Sequence, residues 1–243
     1  MEGNYILAIP ARFDSSRLPG KPLIEIKGVS ILRMTYLQCL KAVPEDKIII
    51  LTDSKKIDSY CSDNNMNSMI VDDNCLTGTD RIALFAKDSS FDFVVNVQGD
   101  EPLIDPSNIK KIISESLDNK GQIINGYQEI FTEDEFRNPS IPKVVFDEKS
   151  QLLYMSRSPI PTTKTLSFVK AYKQLGIYSF PVSCLNDFYV RSKTKNEVLE
   201  DIEILRFIEM GFKVKMINLV CNSFSIDTNN DLVKLKNLLS NDF

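Results

Sequence analysis

The amino-acid sequence predicts an α/β fold: a doubly wound, mixed but mostly parallel sheet. Three apolar runs, Tyr5–Ile9, Lys47–Leu51 and Asp92–Val97, are short, rich in β-branched residues and closed by polar or turn residues. Runs of this kind suit strands buried on both faces of a parallel sheet. Helical patterns separate them, and strand–helix alternation implies right-handed crossovers.

The elements follow in order. After the first strand, Ser30–Ala42 carries Ile31, Met34, Leu37, Cys39 and Leu40 at roughly helical spacing. After the second strand, Ser54 is a candidate N-cap for a helix reaching Asn64. Asp80–Lys87 and Pro106–Leu117 read as two further helices, the latter capped by Asp105. The second half changes character. Pro142–Phe146, Leu152–Met155, Gln174–Phe180 and Lys213–Leu219 read as strands of a smaller, antiparallel or mixed extension. Ser192–Met210 contains a charged amphipathic helix, and Asn229–Leu239 is a final one. The polar stretch Pro161–Lys170 is either a loop over a site or a surface connection. No flexible linker, internal repeat or low-complexity tract appears, so residues 1–243 are expected to form a single domain.

Composition narrows the function. A formal net charge of -4 argues against a general nucleic-acid binder, so any nucleotide site must be a local basic patch. The chain has no histidine, which removes Ser-His-Asp and Cys-His triads and His-based zinc sites. The five cysteines, Cys39, Cys61, Cys75, Cys184 and Cys221, form no C-x-x-C pair and read as free thiols of a cytoplasmic protein. Ile6–Pro10 is too short for a signal segment, and no apolar run is long enough to span a bilayer.

The first strand leads directly into Ile9-Pro-Ala-Arg-Phe-Asp-Ser-Ser-Arg-Leu-Pro-Gly-Lys21. Open α/β sheets place ligands at this carboxyl edge. Arg12, Arg17 and Lys21 stand beside the small hydroxyl residues Ser15 and Ser16. A triphosphate needs charge-assisted donors along its length and small residues that admit the backbone. Pro10, Pro19 and Pro22 stiffen the loop, and Gly20 supplies permissive geometry. Neither a Walker A loop nor G-x-G-x-x-G is present.

Pro10-Ala-Arg12 with Ser16-Arg-Leu-Pro-Gly-Lys-Pro22 resembles the signature of the 3-deoxy-manno-octulosonate (Kdo) cytidylyltransferases. Further matches follow in the family's order: Thr52-Asp53, Gly78-Thr-Asp-Arg81, Asn96-Val-Gln-Gly-Asp-Glu-Pro102, Lys143-Val-Val145, and Tyr154-Met-Ser-Arg157 with Ile160-Pro161. Leu175-Gly-Ile-Tyr178, Leu205-Arg206 and Asp227-Thr228 complete the series, which covers almost the whole chain. The resemblance implies a nucleotide-diphospho-sugar transferase fold. Residues 1–140 would mainly bind nucleotide, and residues 141–220 would mainly bind sugar and form a homodimer. The implied activity joins CTP to an acidic 3-deoxy sugar, with no nucleic acid and no membrane insertion.

Asp100 follows a buried strand and Asp227 a short apolar segment. A carboxylate facing a triphosphate loop is a costly neighbour unless a cation lies between. On their own, Asp100 is equally a turn residue or cap, and Asp227 is an even better cap because a helix follows it. The resemblance implies that both hold Mg2+. It also places Pro10, Ala11, Arg12, Ser16, Arg17, Lys21, Thr79, Arg81 and Gln98 at the nucleotide. Arg12, Lys21, Asp100 and Asp227 become the catalytic set. For the sugar, Arg157 is the expected carboxylate partner, an ion pair with an Asp or Glu being its other reading. Gln174, Tyr178, Glu200 and Glu203 are the hydroxyl readers, although both glutamates equally suit an exposed helix. Gln174 replaces a histidine of the family, and Ile204 replaces a glutamine. An alkyl group in place of an amide reader would cost about 1–3 kcal/mol for an unpaired hydroxyl. A modified sugar acid such as 8-amino-8-deoxy-Kdo is therefore the alternative substrate, with a sugar phosphate the other enzyme reading. A non-catalytic CTP-binding regulator is the reading from outside the enzymes.

Overall fold

Each apolar run expected to be a strand lies inside a sheet. In chain order the first elements are β1 (Tyr5–Ala11), a 3-10 turn (Lys21–Leu23), the small hairpin β2 (Glu25–Ile26) and β3 (Val29–Ser30), and α1 (Ile31–Leu40). Next come β4 (Ile48–Thr52), α2 (Lys55–Asp63), β5 (Ser68–Ile70), α3 (Gly78–Ala86), β6 (Phe93–Val97), α4 (Pro106–Asp118) and β7 (Ile123–Glu129). The second half holds α5 (Glu133–Arg137), β8 (Lys143–Phe146), β9 (Leu152–Ser156), β10 (Tyr172–Pro181), α6 (Val182–Val190), α7 (Lys195–Glu200), α8 (Ile204–Glu209), β11 (Val214–Asn218) and α9 (Asn229–Ser240). The computed structural model describes residues 3–14, 18–71, 75–220 and 224–240.

The described residues form a nine-stranded sheet in the order β11-β7-β10-β6-β1-β4-β5, with the β8–β9 hairpin attached to β10. β1 pairs in parallel with β4 and β6, β4 with β5, and β7 with β11. β10 runs antiparallel between β6 and β7. Alternate residues of β1 feed two cores. Leu7 and Ile9 pack with α1, α2 and α4 on one face; Ile6 and Ala8 pack with α3, α6 and α8 on the other. A third cluster joins Ile226, Leu232 and Leu235 of the C-terminal segment to Ile26 and Ile31. That contact brings the end of the chain to the carboxyl edge of β1 and β6.

Several elements differ from expectation. β7 was not foreseen, because Asn125-Gly126 at its centre carries the signature of a hairpin turn. Asn125 is instead buried, and its Nδ2 donates to the carbonyls of Leu175 (3.0 Å) and Ile177 (2.9 Å). There the β10 register shifts between Gln174 and Tyr178, so the amide partners the carbonyls at the irregularity. A Cβ on Gly126 would run into Leu219 Cδ1, so any larger residue there needs the Leu219 side chain to move. The helix expected within Ser192–Met210 is two, α7 and α8, separated at Asp201, which adopts φ 51. Asp105 caps α4 as expected, accepting from Ser107 N at 2.8 Å. Ser54 makes no side-chain cap bond to α2.

Two buried cations knit the second half together. Arg206, 2% exposed, donates to both carboxylate oxygens of Glu197 (2.7 and 2.6 Å) and to Asp80 Oδ1 (2.9 Å). This two-point fork ties α7 and α8 to α3. Lys143 is 0% exposed, and its ammonium donates to the carbonyls of Asn138 (2.9 Å) and Arg157 (2.7 Å). Burial, reinforced by the Arg157 guanidinium, pulls the lysine down to about 8.

Arg206→Leu leaves Glu197 buried and unpaired, and should cost about 3–5 kcal/mol in urea unfolding. Adding Glu197→Leu should recover part of that loss; a single-variant loss under about 1 kcal/mol would contradict the network's role. Lys143 carries the opposite linkage from a paired lysine. Between about pH 8 and 10.4 the unfolded chain holds this proton and the native one does not, so stability rises with pH across that window. Wild type should therefore gain on Lys143→Met in urea titrations moved from about pH 7.5 to about pH 10, and a pH-independent difference would refute the assignment.

Candidate active site

The loop after β1 is closed by its own backbone. Gly20 N donates to Phe13 O (3.0 Å) and Lys21 N to Leu18 O (3.1 Å). Gly20 adopts φ 70, the left-handed conformation that turns the chain, and Pro22 starts the 3-10 turn that fixes Lys21. Pro10 passes close beneath β6: a Cβ on Gly99 would stand 3.0 Å from Pro10 O. Glycine there lets the two strand ends converge. Arg12 is exposed on the rim. Ser16 and Arg17, expected at the nucleotide, lie outside the described residues, as do Ser15 and Cys221.

Lys21 joins the two aspartates. Its Nζ lies 2.5 Å from Asp100 Oδ2 and 3.2 Å from Asp227 Oδ1. Burial lowers the lysine's pKa, but the two carboxylates outweigh it and the net shift is upward. The segments carrying the two aspartates meet through a backbone bond, Ile226 N to Asp100 O at 3.0 Å. Capping of α9 falls to other residues: Asp231 Oδ2 accepts from Thr228 N (2.9 Å) and Thr228 Oγ1 (2.8 Å). The Asp227 carboxylate therefore points to Lys21 while Thr228 and Asp231 organise the helix start.

The opposite side of the cleft is built on α3. Thr77 caps the helix by accepting from Asp80 N at 3.1 Å. Glu203 Oε2 accepts from Thr79 N at 2.9 Å, so a carboxylate sits against the helix N-terminus. Burial pushes the Glu203 carboxyl up, against the hydrogen bonds from Thr79. Thr79 is buried beneath this contact. Arg81, 3% exposed, places Nη2 on Asp53 Oδ2 at 2.6 Å. Its Nη1 is buried and finds no hydrogen-bond partner among the described residues. Asp53 went unassigned in the sequence, although its place just past a strand end was the available signal.

Gln98 lines the cleft and donates its backbone N–H to Gly176 O at 3.3 Å. A Cβ on Gly176 would meet Gln98 Cγ and Glu101 Oε1 at 3.1 Å, which explains glycine in Leu175-Gly-Ile-Tyr178. Tyr178 donates its hydroxyl to Gln174 Oε1. Burial raises the Tyr178 hydroxyl, with the Glu203 and Glu101 carboxylates adding to the shift, so it stays protonated. Of the residues expected at the nucleotide or sugar, Thr79, Gln174, Tyr178, Arg157 and Glu200 do not line the cleft. The Arg157 guanidinium donates to the carbonyls of Glu200 (2.5 Å), Asp201 (2.9 Å) and Pro139 (3.0 Å). Glu200 accepts from Ser156 Oγ (2.6 Å) and Arg157 N (2.9 Å). Together they anchor the turn that sends Asp201 and Glu203 into the cleft. Ile204, the presumed site of a lost amide reader, is 2% exposed within the hydrophobic core, where an alkyl group belongs.

These groups surround a cleft of about 430 Å³. The cation loop, Asp100 and Asp227 form one side, and Asp53, Arg81 and Glu203 another.

Residues 6–217 match the family model described as Cytidylyltransferase. The chain is 33% identical to the 3-deoxy-manno-octulosonate cytidylyltransferase of Protochlamydia amoebophila (strain UWE25), covering 98% of this chain and 95% of that one. It is 35% identical to the enzyme of the same name from Christiangramia forsetii (strain DSM 17595 / CGMCC 1.15422 / KT0803), covering 98% of each. A structure of CMP:2-keto-3-deoxy-manno-octonic acid synthetase complexed with CTP superposes with a TM-score of 0.91 at 26% identity, covering 99% of this chain and all of that one. With a family model spanning most of the sequence and relatives of this identity spanning nearly all of it, the chain belongs to the 3-deoxy-manno-octulosonate cytidylyltransferase family.

Proposed function

We propose that the protein transfers CMP from CTP to the anomeric hydroxyl of Kdo and releases pyrophosphate. The carrying observation is the convergence of Asp100 and Asp227 on one ammonium beside the cation loop. The names of the relatives favour unmodified Kdo over an amino analogue or a sugar phosphate, and the core position of Ile204 removes one argument for a modified sugar.

The sugar hydroxyl releases its proton to solvent, its oxygen attacks the α-phosphorus in line and bonds to it, and the bond to the pyrophosphate oxygen breaks. Arg12 and Lys21, with Ser16 and Arg17, hold the triphosphate and offset charge on the leaving group. Pro10 and Ala11 bring backbone close to the nucleotide. Arg81 offers its unpartnered Nη1 to an acceptor of the pyrimidine or ribose, with Gln98 lining the same cleft and Thr79 buried on α3. Gln174, Tyr178 and Glu203 meet sugar hydroxyls, while Arg157 and Glu200 support the turn carrying Glu203.

The donor set at Asp100 and Asp227 fits Mg2+. Two carboxylates reach one cation position, and no group of three or more His, Cys, Asp or Glu side chains gathers for a metal among the described residues. Mg2+ characteristically takes one or two carboxylates and completes its shell with phosphate oxygens and water. When bound, it would lower the pKa of the attacking hydroxyl and neutralise phosphate charge.

We also propose a homodimer formed through the second half, where Leu153, Val190, Val198 and Leu199 are 57–81% exposed. No helix among the described residues is long and apolar enough to cross a membrane, and a cytoplasmic location is part of the proposal.

Asp100→Ala and Asp227→Ala should each abolish pyrophosphate release from CTP plus Kdo while leaving the circular dichroism spectrum unchanged. Near-wild-type turnover in either variant would exclude the carboxylates from the reaction. Arg81→Lys should raise KM for CTP by about 10-fold or more and leave KM for Kdo little changed, because a buried charged donor is lost to the nucleotide alone. An equal rise in both constants would place Arg81 outside the nucleotide subsite.

A further inference from the structure

Lys21 occupies the position that a divalent ion on Asp100 and Asp227 would need. Its ammonium touches Asp100 Oδ2 at 2.5 Å and Asp227 Oδ1 at 3.2 Å. Two carboxylates held this near each other repel unless a cation lies between them. The lysine supplies that cation from within the chain. Magnesium binds carboxylate oxygen at about 2.0–2.1 Å, so the ion and the ammonium cannot both occupy the space between the two carboxylates.

The backbone of Lys21 is fixed by Gly20 and Pro22, which leaves rotation of its four-carbon stem as the way to vacate. Its side chain is 13% exposed and lines the same cleft as Arg12, so the ammonium can reach an anion lying in the cation loop. A triphosphate there is a rival partner with more negative charge than the two carboxylates.

We propose that Lys21 is an internal counter-ion that keeps divalent metal off Asp100 and Asp227 until nucleotide phosphates draw the lysine away. This rests on the metal reading given above. Nucleotide and metal binding are then coupled, and the coupling acts equally in both directions. The free protein binds a divalent ion poorly, and the nucleotide completes the site by removing its occupant.

The test is a Mn2+ titration followed by the electron paramagnetic resonance of unbound Mn2+, with no nucleotide present. Wild type should show no saturable site below about 1 mM, whereas Lys21→Met and Lys21→Gln should each bind at least about 10-fold more tightly, within the usual range of coupling factors. Adding Asp100→Asn to Lys21→Met should remove the gained site. Tight Mn2+ binding by wild type that is lost in Asp100→Asn overturns the counter-ion role and leaves the metal reading standing, and it needs no Lys21 variant. Equal, Asp100-dependent affinities in wild type and the Lys21 variants do the same. Tight binding in Lys21→Met that Asp100→Asn does not affect sinks both, because the ion is then held elsewhere.

Discussion

The cleft depends on one backbone hydrogen bond between distant parts of the chain, from Ile226 N to Asp100 O. It sets the two carboxylates side by side at the carboxyl edge of the sheet. Ile226 is fully buried beside Leu232, Leu235, Ile26 and Ile31, so the bond is shielded by apolar contacts rather than left to a loop. Docking of α9 is thereby part of the active-site construction. The electrostatic cost of holding two like charges together is met locally by Lys21, whose own position is set by a closed glycine–proline turn.

A second constraint shapes the other wall. α3 begins inside the cleft, and its free N–H groups require acceptors. Thr77 serves Asp80, and the Glu203 carboxylate serves Thr79. Glu203 reaches that place because the chain breaks at Asp201 between α7 and α8, and Arg157 clamps the carbonyls at the break. Arg206 then locks α7 and α8 to α3 through Glu197 and Asp80. A helix cap, a left-handed residue and a buried arginine thus act together to aim one carboxylate.

Legibility in the sequence followed the physical visibility of each feature. The three apolar strands were readable because burial on both faces writes an uninterrupted apolar run. β7 was not, because Asn125 and Gly126 answer needs that only the folded sheet creates: an irregular β10 register and the approach of Leu219. Lys21 stood out in a proline-stiffened loop, Asp100 and Asp227 only through the resemblance to the family, and the structure brings the three within contact. Of the partners of Arg157, the Asp201 carboxylate at 3.8 Å answers to the ion-pair reading, while the backbone carbonyls of Glu200, Asp201 and Pro139 are announced by no side-chain pattern.

The absence of histidine becomes intelligible from the division of the cleft. One side concentrates charge, with Arg12, Lys21, Asp100 and Asp227. The other sets the Asp53–Arg81 ion pair beside Glu203, whose carboxyl is raised by burial. Neither side of the cleft holds an imidazole. Phosphoryl transfer tolerates this, because its barrier falls mainly through alignment of the attacking and leaving oxygens and through compensation of phosphate charge. A protein that provides loop cations and two carboxylates held side by side already supplies those terms, and an imidazole would add little to them.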